Sequence, residues 1–150
     1  MKIAVINGPN INLIGIKESH LYGDLRLDEL NGELEKFVKL GKFDVELDFF
    51  QSNLEGEIVD KIQECLGTVD GIVINPSAYA HTSMAICDAL YMVALPCVEV
   101  HISNVYKREV GRQKMLTAAA SQAVISGMGT YSYQLGIMSV YQILLQRLSV

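Results

Sequence analysis

The sequence has 150 residues, half of them hydrophobic, which is enough to bury the core of one domain. The formal net charge is -5, and the sequence contains no dense block of lysine and arginine. This pattern argues against a protein that binds nucleic acid or an anionic membrane surface, because both need a concentrated positive patch. We predict a single domain over residues 1–150.

The three cysteines, Cys65, Cys87 and Cys97, lie in apolar segments and lack the CxxC spacing of a zinc or redox site. We expect buried, reduced thiols, with neither a disulfide nor a bound metal. The first apolar run, in "MKIAVINGPN", is too short for a signal-peptide core or a membrane span, so a cytoplasmic location is expected.

In chain order, β-branched or alternating apolar runs that end at turn residues predict five strands. They cover residues 2–6, 44–50, 70–76, 96–103 and 122–129. Apolar residues at helical spacing predict four helices between or after these strands, over residues 27–40, 52–67, 82–94 and 131–148. The alternation predicts a doubly wound α/β domain with five parallel strands and right-handed crossovers.

Polar side chains follow four of these strands, at their carboxyl ends. In an open parallel sheet, ligands bind beyond these ends. They are Asn7, Asn10 and Asn12, residues 51–53, residues 75–83 and residues 101–104. One asparagine after a strand is usually a turn residue. Their coincidence at one edge of the sheet favours a binding site.

The stretch "VEVHIS" places Glu99 and His101 on the same face of the fourth strand, because side chains alternate across a strand. A carboxylate bonded to one ring nitrogen fixes the tautomer and stabilises the imidazolium, which can then donate a proton from its other nitrogen. The alternative is a purely structural pair beneath a helix.

The stretch "INPSAYAHTS" brings Asn75, His81, Thr82 and Ser83 to the predicted start of the third long helix, where free N–H groups favour anionic or hydroxylated ligands. The alternative is that Thr82 or Ser83 only caps the helix. Asp88, seven residues after His81, is expected on nearly the same helical face, in an apolar run that suggests a subunit contact.

Arg108 and Arg112 stand at helical spacing in "NVYKREVGRQK" and could grip a carboxylate, although solvated arginines are the simpler interpretation. The sequence lacks both GxGxxG after its first strand and a GKS or GKT phosphate loop. Nucleotide binding by those mechanisms is therefore unsupported.

The loop "IGIKESHLYGD" is unusual in holding Lys17, Glu18, His20 and Tyr22 between two glycines. A solvated linker is the simple interpretation.

The sequence resembles the type II 3-dehydroquinate dehydratases along its whole length. The motifs are "INGPNINLIG", "YG", "QSNLEGEIVDKIQE", "DGIVINPSAYAHTS", "VEVHISNV" and "REVGR". The resemblance implies a flavodoxin-like enzyme without a cofactor, assembled from trimers into a homododecamer. Its reaction would be the reversible dehydration of 3-dehydroquinate to 3-dehydroshikimate, by anti elimination through an enolate.

The resemblance also implies residue roles. Tyr22 matches the tyrosine that abstracts a proton, and His101, partnered by Glu99, matches the proton donor. Asn12 matches the asparagine that stabilises the enolate. The substrate-binding positions are Asn75, His81 and Arg112 at the hydroxyl groups, Ile102 and Ser103 at the carboxylate, Arg108 as a nearby positive charge, and Asp88 as a contribution from a neighbouring subunit.

One departure concerns Lys17, because the family usually has arginine in "REP" where this chain has "KES". A tyrosine has a reference pKa near 10, so its phenolate costs about 4 kcal/mol at pH 7 without a nearby cation. With Tyr22 as the base, the resemblance implies that residues 15–24 form a mobile lid, which brings Tyr22 and a cation over the substrate. Lysine keeps the charge but lacks the planar fork of arginine, so we expect an active but slower enzyme.

Two other functions stay open on the sequence. A catalytically weakened paralogue could bind the same ligand in a regulatory role, as Lys17 and the altered segment around Arg108 suggest. A flavin-binding module on the same sheet is disfavoured, because no aromatic pair flanks a phosphate loop.

Overall fold

The computed structural model describes residues 1–16 and 25–149. Its five strands are β1 (Lys2–Asn7), β2 (Glu46–Gln51), β3 (Gly71–Asn75), β4 (Cys97–His101) and β5 (Ala123–Ser126). The long helices are α1 (Leu27–Leu40), α2 (Glu55–Glu64), α3 (Met84–Val93) and α4 (Tyr131–Leu148). Short 3-10 helices occupy Ile11–Leu13, Ser77–His81, Val105–Lys107, Val110–Arg112 and Thr117–Ala120.

The five strands form one parallel sheet in the order β2-β1-β3-β4-β5. This is the order of the flavodoxin-like doubly wound fold, so the predicted fold class is confirmed. From β1 the chain adds β2 on one side, and it then adds β3, β4 and β5 on the other side. The crevice where such folds bind ligands lies at this change, between the carboxyl ends of β1 and β3.

Hydrophobic side chains bury both faces of the sheet, which makes three layers. On one face, α1 and α4 contribute Leu34 and Ile137 to a core with Val5, Val73 and Val100. On the other face, α2 and α3 pack against the alternate residues of the same strands. All five residues of β3 are buried, as the continuous apolar run "GIVIN" predicts for a central parallel strand.

The predicted bounds of α1 and α4 are confirmed, whereas α3 begins later than residue 82. Ser83 has extended backbone angles, and its side chain accepts a hydrogen bond from the N–H of Ile86, so Ser83 is the N-cap. The simpler interpretation of this serine, as a cap, is correct.

Two predictions of helical phase are wrong. His81 ends the 3-10 helix Ser77–His81, and the non-helical angles of Thr82 and Ser83 break the phase, so His81 and Asp88 do not share a helical face. Arg108 lies between two separate 3-10 turns in extended conformation, so Arg108 and Arg112 are not one α-helical turn apart.

All three cysteines are buried, as predicted, and each is a free thiol. In the part of the chain that the structure describes, no helix combines the length and the apolar character needed to cross a membrane.

Candidate active site

A cavity of about 400 Å³ lies beyond the carboxyl ends of β1, β3 and β4. Among the residues that the structure describes, its polar lining consists of Asn10, Asn75, Ser77, His81, His101, Ser103, Arg108 and Arg112. Its apolar wall includes Ile11, Leu13, Ile14, Ile102 and Val105. The cavity therefore suits a small polar molecule that carries both hydroxyl groups and negative charge.

Glu99 and His101 meet at the end of β4, as their alternation on the strand predicts. Nε2 of His101 lies 2.7 Å from Oε1 of Glu99, and both residues are buried. The other carboxylate oxygen, Oε2, accepts a 2.6 Å hydrogen bond from the hydroxyl of Thr117. Both oxygens of this buried acid are thus hydrogen-bonded, which offsets its desolvation.

This geometry assigns distinct tasks to the two ring nitrogens of His101. An ionised carboxylate only accepts hydrogen bonds, so Nε2 carries a proton and donates a hydrogen bond to Glu99. The negative charge of Glu99 stabilises the imidazolium, whose second proton is on Nδ1. Because His101 lines the cavity, the pair can act as a general acid toward a bound molecule.

Asn75 lines the cavity, and a buried network of hydrogen bonds holds its side-chain amide. Its Nδ2 donates to the hydroxyl of Tyr133 at 2.8 Å, and that hydroxyl donates to Oδ1 of Asn7 at 2.6 Å. Oδ1 of Asn75 accepts from the backbone N–H of Ser77 at 3.1 Å. These bonds fix which end of the amide is donor and which is acceptor. Burial raises the pKa of the Tyr133 phenol, which stays neutral as a donor.

Gly8 allows β1 and β3 to end close together at this point. Its N–H donates to the carbonyl of Asn75 at 2.8 Å. A Cβ at position 8 would lie 2.3 Å from the carbonyl oxygen of Pro76, so a larger residue would push the two strand ends apart.

His81 has a defined hydrogen-bonding polarity. Its Nδ1 lies 2.9 Å from the carbonyl oxygen of Lys114. A carbonyl only accepts, so Nδ1 donates, and Nε2 of the neutral ring is left as an acceptor. A ring that lines the cavity in this state can accept a hydrogen bond from a ligand hydroxyl.

The backbone after β4 has its carbonyl groups engaged outside the cavity. The carbonyl of His101 accepts hydrogen bonds from the N–H of Gly127 and from Oγ of Ser132. The carbonyl of Ile102 accepts one from the N–H of Gly129, and the carbonyl of Ser103 accepts one from Oγ of Ser126. Ile102 and Ser103 line the cavity, so their backbone lies beside any bound ligand.

Two arginines add positive charge to the cavity wall. Nε of Arg112 donates a 2.5 Å hydrogen bond to Oε1 of Glu109. This bond lowers the pKa of the exposed Glu109 carboxyl, which therefore stays ionised. Arg108 lines the same cavity. Both arginines thus line one cavity, in a local structure that differs from the predicted helical turn.

Residues 1–141 of the chain match the sequence model of the family Dehydroquinase class II. The 3-dehydroquinate dehydratase of Aliarcobacter butzleri is 58% identical over 144 residues, which span 96% of this chain and 87% of that protein. The chain belongs to the class II dehydroquinases.

Two further relatives agree with this membership. The 3-dehydroquinate dehydratase of Campylobacter jejuni is 54% identical over 143 residues, with 95% of this chain and 89% of that protein covered. The crystal structure of a type II dehydroquinase from Butyrivibrio crossotus superposes with a TM-score of 0.89 at 44% identity. That superposition covers 93% of this chain and 97% of the other.

Within this class II dehydroquinase, most of the expected site residues that can be placed line one cavity. They are Asn75, His81, His101, Ile102, Ser103, Arg108 and Arg112. Glu99 reaches the cavity only through His101. Lys17 and Tyr22 lie outside the described residues.

Asn12 and Asp88 are placed but do not line the cavity. Oδ1 of Asn12 accepts a long 3.4 Å hydrogen bond from Gln51 Nε2, which also donates to the carbonyl of Gly8 at 3.2 Å. Asp88 is exposed on α3.

Sequence reasoning missed Thr117 and Tyr133, which support the site from outside the cavity. Both lie in the last third of the chain. No regular spacing in the sequence relates them to Glu99 or Asn75, the residues that they contact. The only signal was indirect, because the buried Glu99 and Asn75 each require hydrogen-bond donors or acceptors that the strands themselves do not supply.

Proposed function

We propose that this chain is a 3-dehydroquinate dehydratase, a lyase that converts 3-dehydroquinate reversibly to 3-dehydroshikimate in the shikimate pathway of aromatic amino acid biosynthesis. The observation that carries the proposal is the buried pair of Glu99 and His101 at the wall of a polar cavity, in a chain of this family. The proposed reaction uses only protein side chains and no cofactor.

The proposed reaction begins at Tyr22, whose phenolate takes a proton from the carbon next to the substrate ketone. The electron pair moves onto the ketone oxygen, and Asn12 stabilises this enolate through a water. When the enolate collapses, the carbon–oxygen bond of the neighbouring hydroxyl breaks. The imidazolium of His101 protonates that oxygen from Nδ1, so that water leaves and a conjugated enone forms.

Substrate binding uses the remaining groups. The N–H groups of Ile102 and Ser103 hold the carboxylate, and Arg108 adds positive charge nearby. Asn75, His81 and Arg112 bind the hydroxyl groups. The bond from Nδ1 of His81 to the carbonyl of Lys114 supports this role, because it directs Nε2 away from that carbonyl, and so does the fixed amide of Asn75.

The proposal includes a lid over residues 15–24 that brings Tyr22 and Lys17 to the substrate. Gly15 supports a hinge at its beginning, because its φ of 72° lies in the left-handed region that glycine adopts readily. The lid and the sheet would then make residues 1–150 one catalytic domain.

We also propose a homododecamer in which Asp88 contributes to a neighbouring site. The exposed face of α3 supports a subunit contact, because Met84, Tyr91 and Met92 are 57%, 56% and 82% exposed beside Asp88. Light scattering after gel filtration would test the assembly, and a monomeric mass would reject it. The buried free thiols favour a reducing, cytoplasmic location, which cell fractionation would test.

The first experiment is turnover of 3-dehydroquinate by the purified chain, followed by the ultraviolet absorbance of the conjugated enone. The matched control is Tyr22→Phe, which removes only the hydroxyl and should reduce kcat by at least about 100-fold. Saturable binding of substrate with no growth of absorbance would instead identify a weakened paralogue and reject the lyase.

A further inference from the structure

The Glu99 carboxylate has a second partner besides His101. Glu99 and Thr117 are both 0% exposed. Oε1 of Glu99 lies 2.7 Å from His101 Nε2, and Oε2 lies 2.6 Å from the hydroxyl oxygen of Thr117. Two hydrogen bonds therefore set the orientation of the carboxylate plane, one with the imidazole of His101 and one with the hydroxyl of Thr117.

Thr117 is well anchored for this task although it does not line the cavity. It begins the 3-10 helix Thr117–Ala120, and the preceding N–H of Leu116 donates to the carbonyl of Ala80 at 2.7 Å. Its β-branched side chain has few rotamers, so the hydroxyl direction is restricted. Since an ionised carboxylate only accepts, the hydroxyl of Thr117 is the donor.

A neutral donor has a specific electrostatic effect at this place. The hydroxyl favours the ionised carboxylate over the protonated one, because a hydrogen bond to a charged oxygen is stronger than one to a neutral carboxyl oxygen. It brings no positive charge that would compete with the imidazolium. An ionised Glu99 accepts the hydrogen bond from Nε2 of His101, which leaves Nδ1 of the imidazolium as the proton donor toward the cavity.

We propose that Thr117 is a positioning residue of the dehydration reaction: its hydroxyl holds the Glu99 carboxylate ionised and aimed at Nε2 of His101. The inference rests on the proposed function, since it concerns the acid that protonates the leaving hydroxyl. It concerns the chemical step and not substrate binding, because Thr117 lies outside the cavity wall.

The test compares Thr117→Val, which keeps the shape but removes the hydroxyl, with Thr117→Ser, which keeps the hydroxyl. A lost hydrogen bond to a charged group should reduce the kcat of Thr117→Val by about tenfold to 100-fold. KM should change little, and Thr117→Ser should retain most of the wild-type kcat. Thr117→Ala replaces the valine variant if the latter does not fold.

A matched control is Thr68→Val, because the Thr68 hydroxyl also donates a short hydrogen bond, to the carbonyl of Glu64 at the end of α2. This threonine is exposed and does not line the cavity, so its variant should retain wild-type kcat. Urea unfolding of each variant separates a loss of folded protein from a loss of turnover.

A spectroscopic readout separates positioning from simple structural support. The chain has three histidines, so nitrogen-15 labelling of histidine gives few signals to assign. The Nε2 signal of His101 should show an attached proton in wild type and Thr117→Ser, and should shift in Thr117→Val.

An active wild type with unchanged kcat and an unchanged His101 signal in folded Thr117→Val would overturn the inference and leave the proposed function intact. An equal loss of kcat in Thr117→Ser and Thr117→Val would also overturn it. Wild-type protein that binds but does not turn over 3-dehydroquinate would reject the proposed function itself.

Discussion

The hydroxyl of Tyr133 donates a 2.6 Å hydrogen bond to Oδ1 of Asn7, across a sequence separation of 126 residues. The same hydroxyl accepts a hydrogen bond from Nδ2 of Asn75, a residue that lines the cavity. One phenol from α4 therefore ties the ends of β1 and β3 together. The final helix thus sets the orientation of a cavity group that it does not itself carry.

Replacing Tyr133 with phenylalanine should destabilise the fold by about 1–3 kcal/mol, because buried polar groups of Asn7 and Asn75 lose their partner. KM for 3-dehydroquinate should rise, since the Asn75 amide is no longer fixed. Urea unfolding and steady-state kinetics measure the two effects. The control is Tyr131→Phe on the same helix, where the ring is 45% exposed. Equal stability of both variants would contradict the role of the network.

Alkaline pH should destabilise the protein through its buried acids. Burial raises the pKa of the Cys97 thiol from 9.0 to about 12, and it also raises that of Tyr133. A raised folded-state pKa means that the unfolded chain loses its proton first. For Cys97, the contribution of the protonated thiol to stability is complete below pH 9, and it is lost as the pH rises toward 12.

The free energy of unfolding should then fall by up to about 1.4 kcal/mol per pH unit for each such group. Urea unfolding at several pH values between about 8 and 11 measures this slope. Cys97→Ala removes one titrating group and should flatten the slope. The same slope in both proteins would show that the Cys97 thiol does not contribute.

Local patterns predicted most of the fold because they depend on neighbours in sequence. The bounds 27–40 and 131–148 follow from helical spacing, and the carboxyl ends of the strands follow from apolar runs that stop at turn residues. The contact of Glu99 with His101 was also local, since two residues on one strand face need no knowledge of the rest of the chain.

Irregular segments limited what could be predicted of the site. Asn104 accepts from the N–H of Tyr106 and closes a single turn, which helical spacing cannot distinguish from a longer helix. Thr117 and Tyr133 reach the site from distant segments after irregular connections, so no spacing in the sequence marks them.

Lys17→Arg should raise kcat. The expected reason is that a planar guanidinium stabilises the Tyr22 phenolate and the closed lid better than an ammonium does. Steady-state turnover of 3-dehydroquinate measures the effect, and Lys17→Met, which removes the charge, should lower kcat. A clear loss of activity in Lys17→Arg would show that this loop is adapted to lysine.

His101→Ala should reduce turnover of the natural substrate by about 100-fold to 10,000-fold, because the leaving hydroxyl loses its acid. A substrate analogue whose leaving group needs no proton should lose much less. The ratio of the two losses in kcat is the measurement. His81→Ala is the matched control, since a lost hydroxyl contact should affect both substrates alike. Comparable losses for both substrates in His101→Ala would reject the acid role.

Ser77→Gly should stabilise the fold slightly. Ser77 has a φ of 54°, and it lines the cavity while its N–H donates to Oδ1 of Asn75. A residue with a Cβ is destabilised by about 1–2 kcal/mol in this left-handed region, and glycine avoids this cost. Glycine also makes the unfolded chain more flexible, which lowers the free energy of unfolding by about 0.5–1 kcal/mol. The net gain should be at most about 1.5 kcal/mol, measured by urea unfolding. Ser77→Ala keeps the Cβ and should bring no gain, so equal stabilisation by alanine would show that the backbone conformation is not the cause.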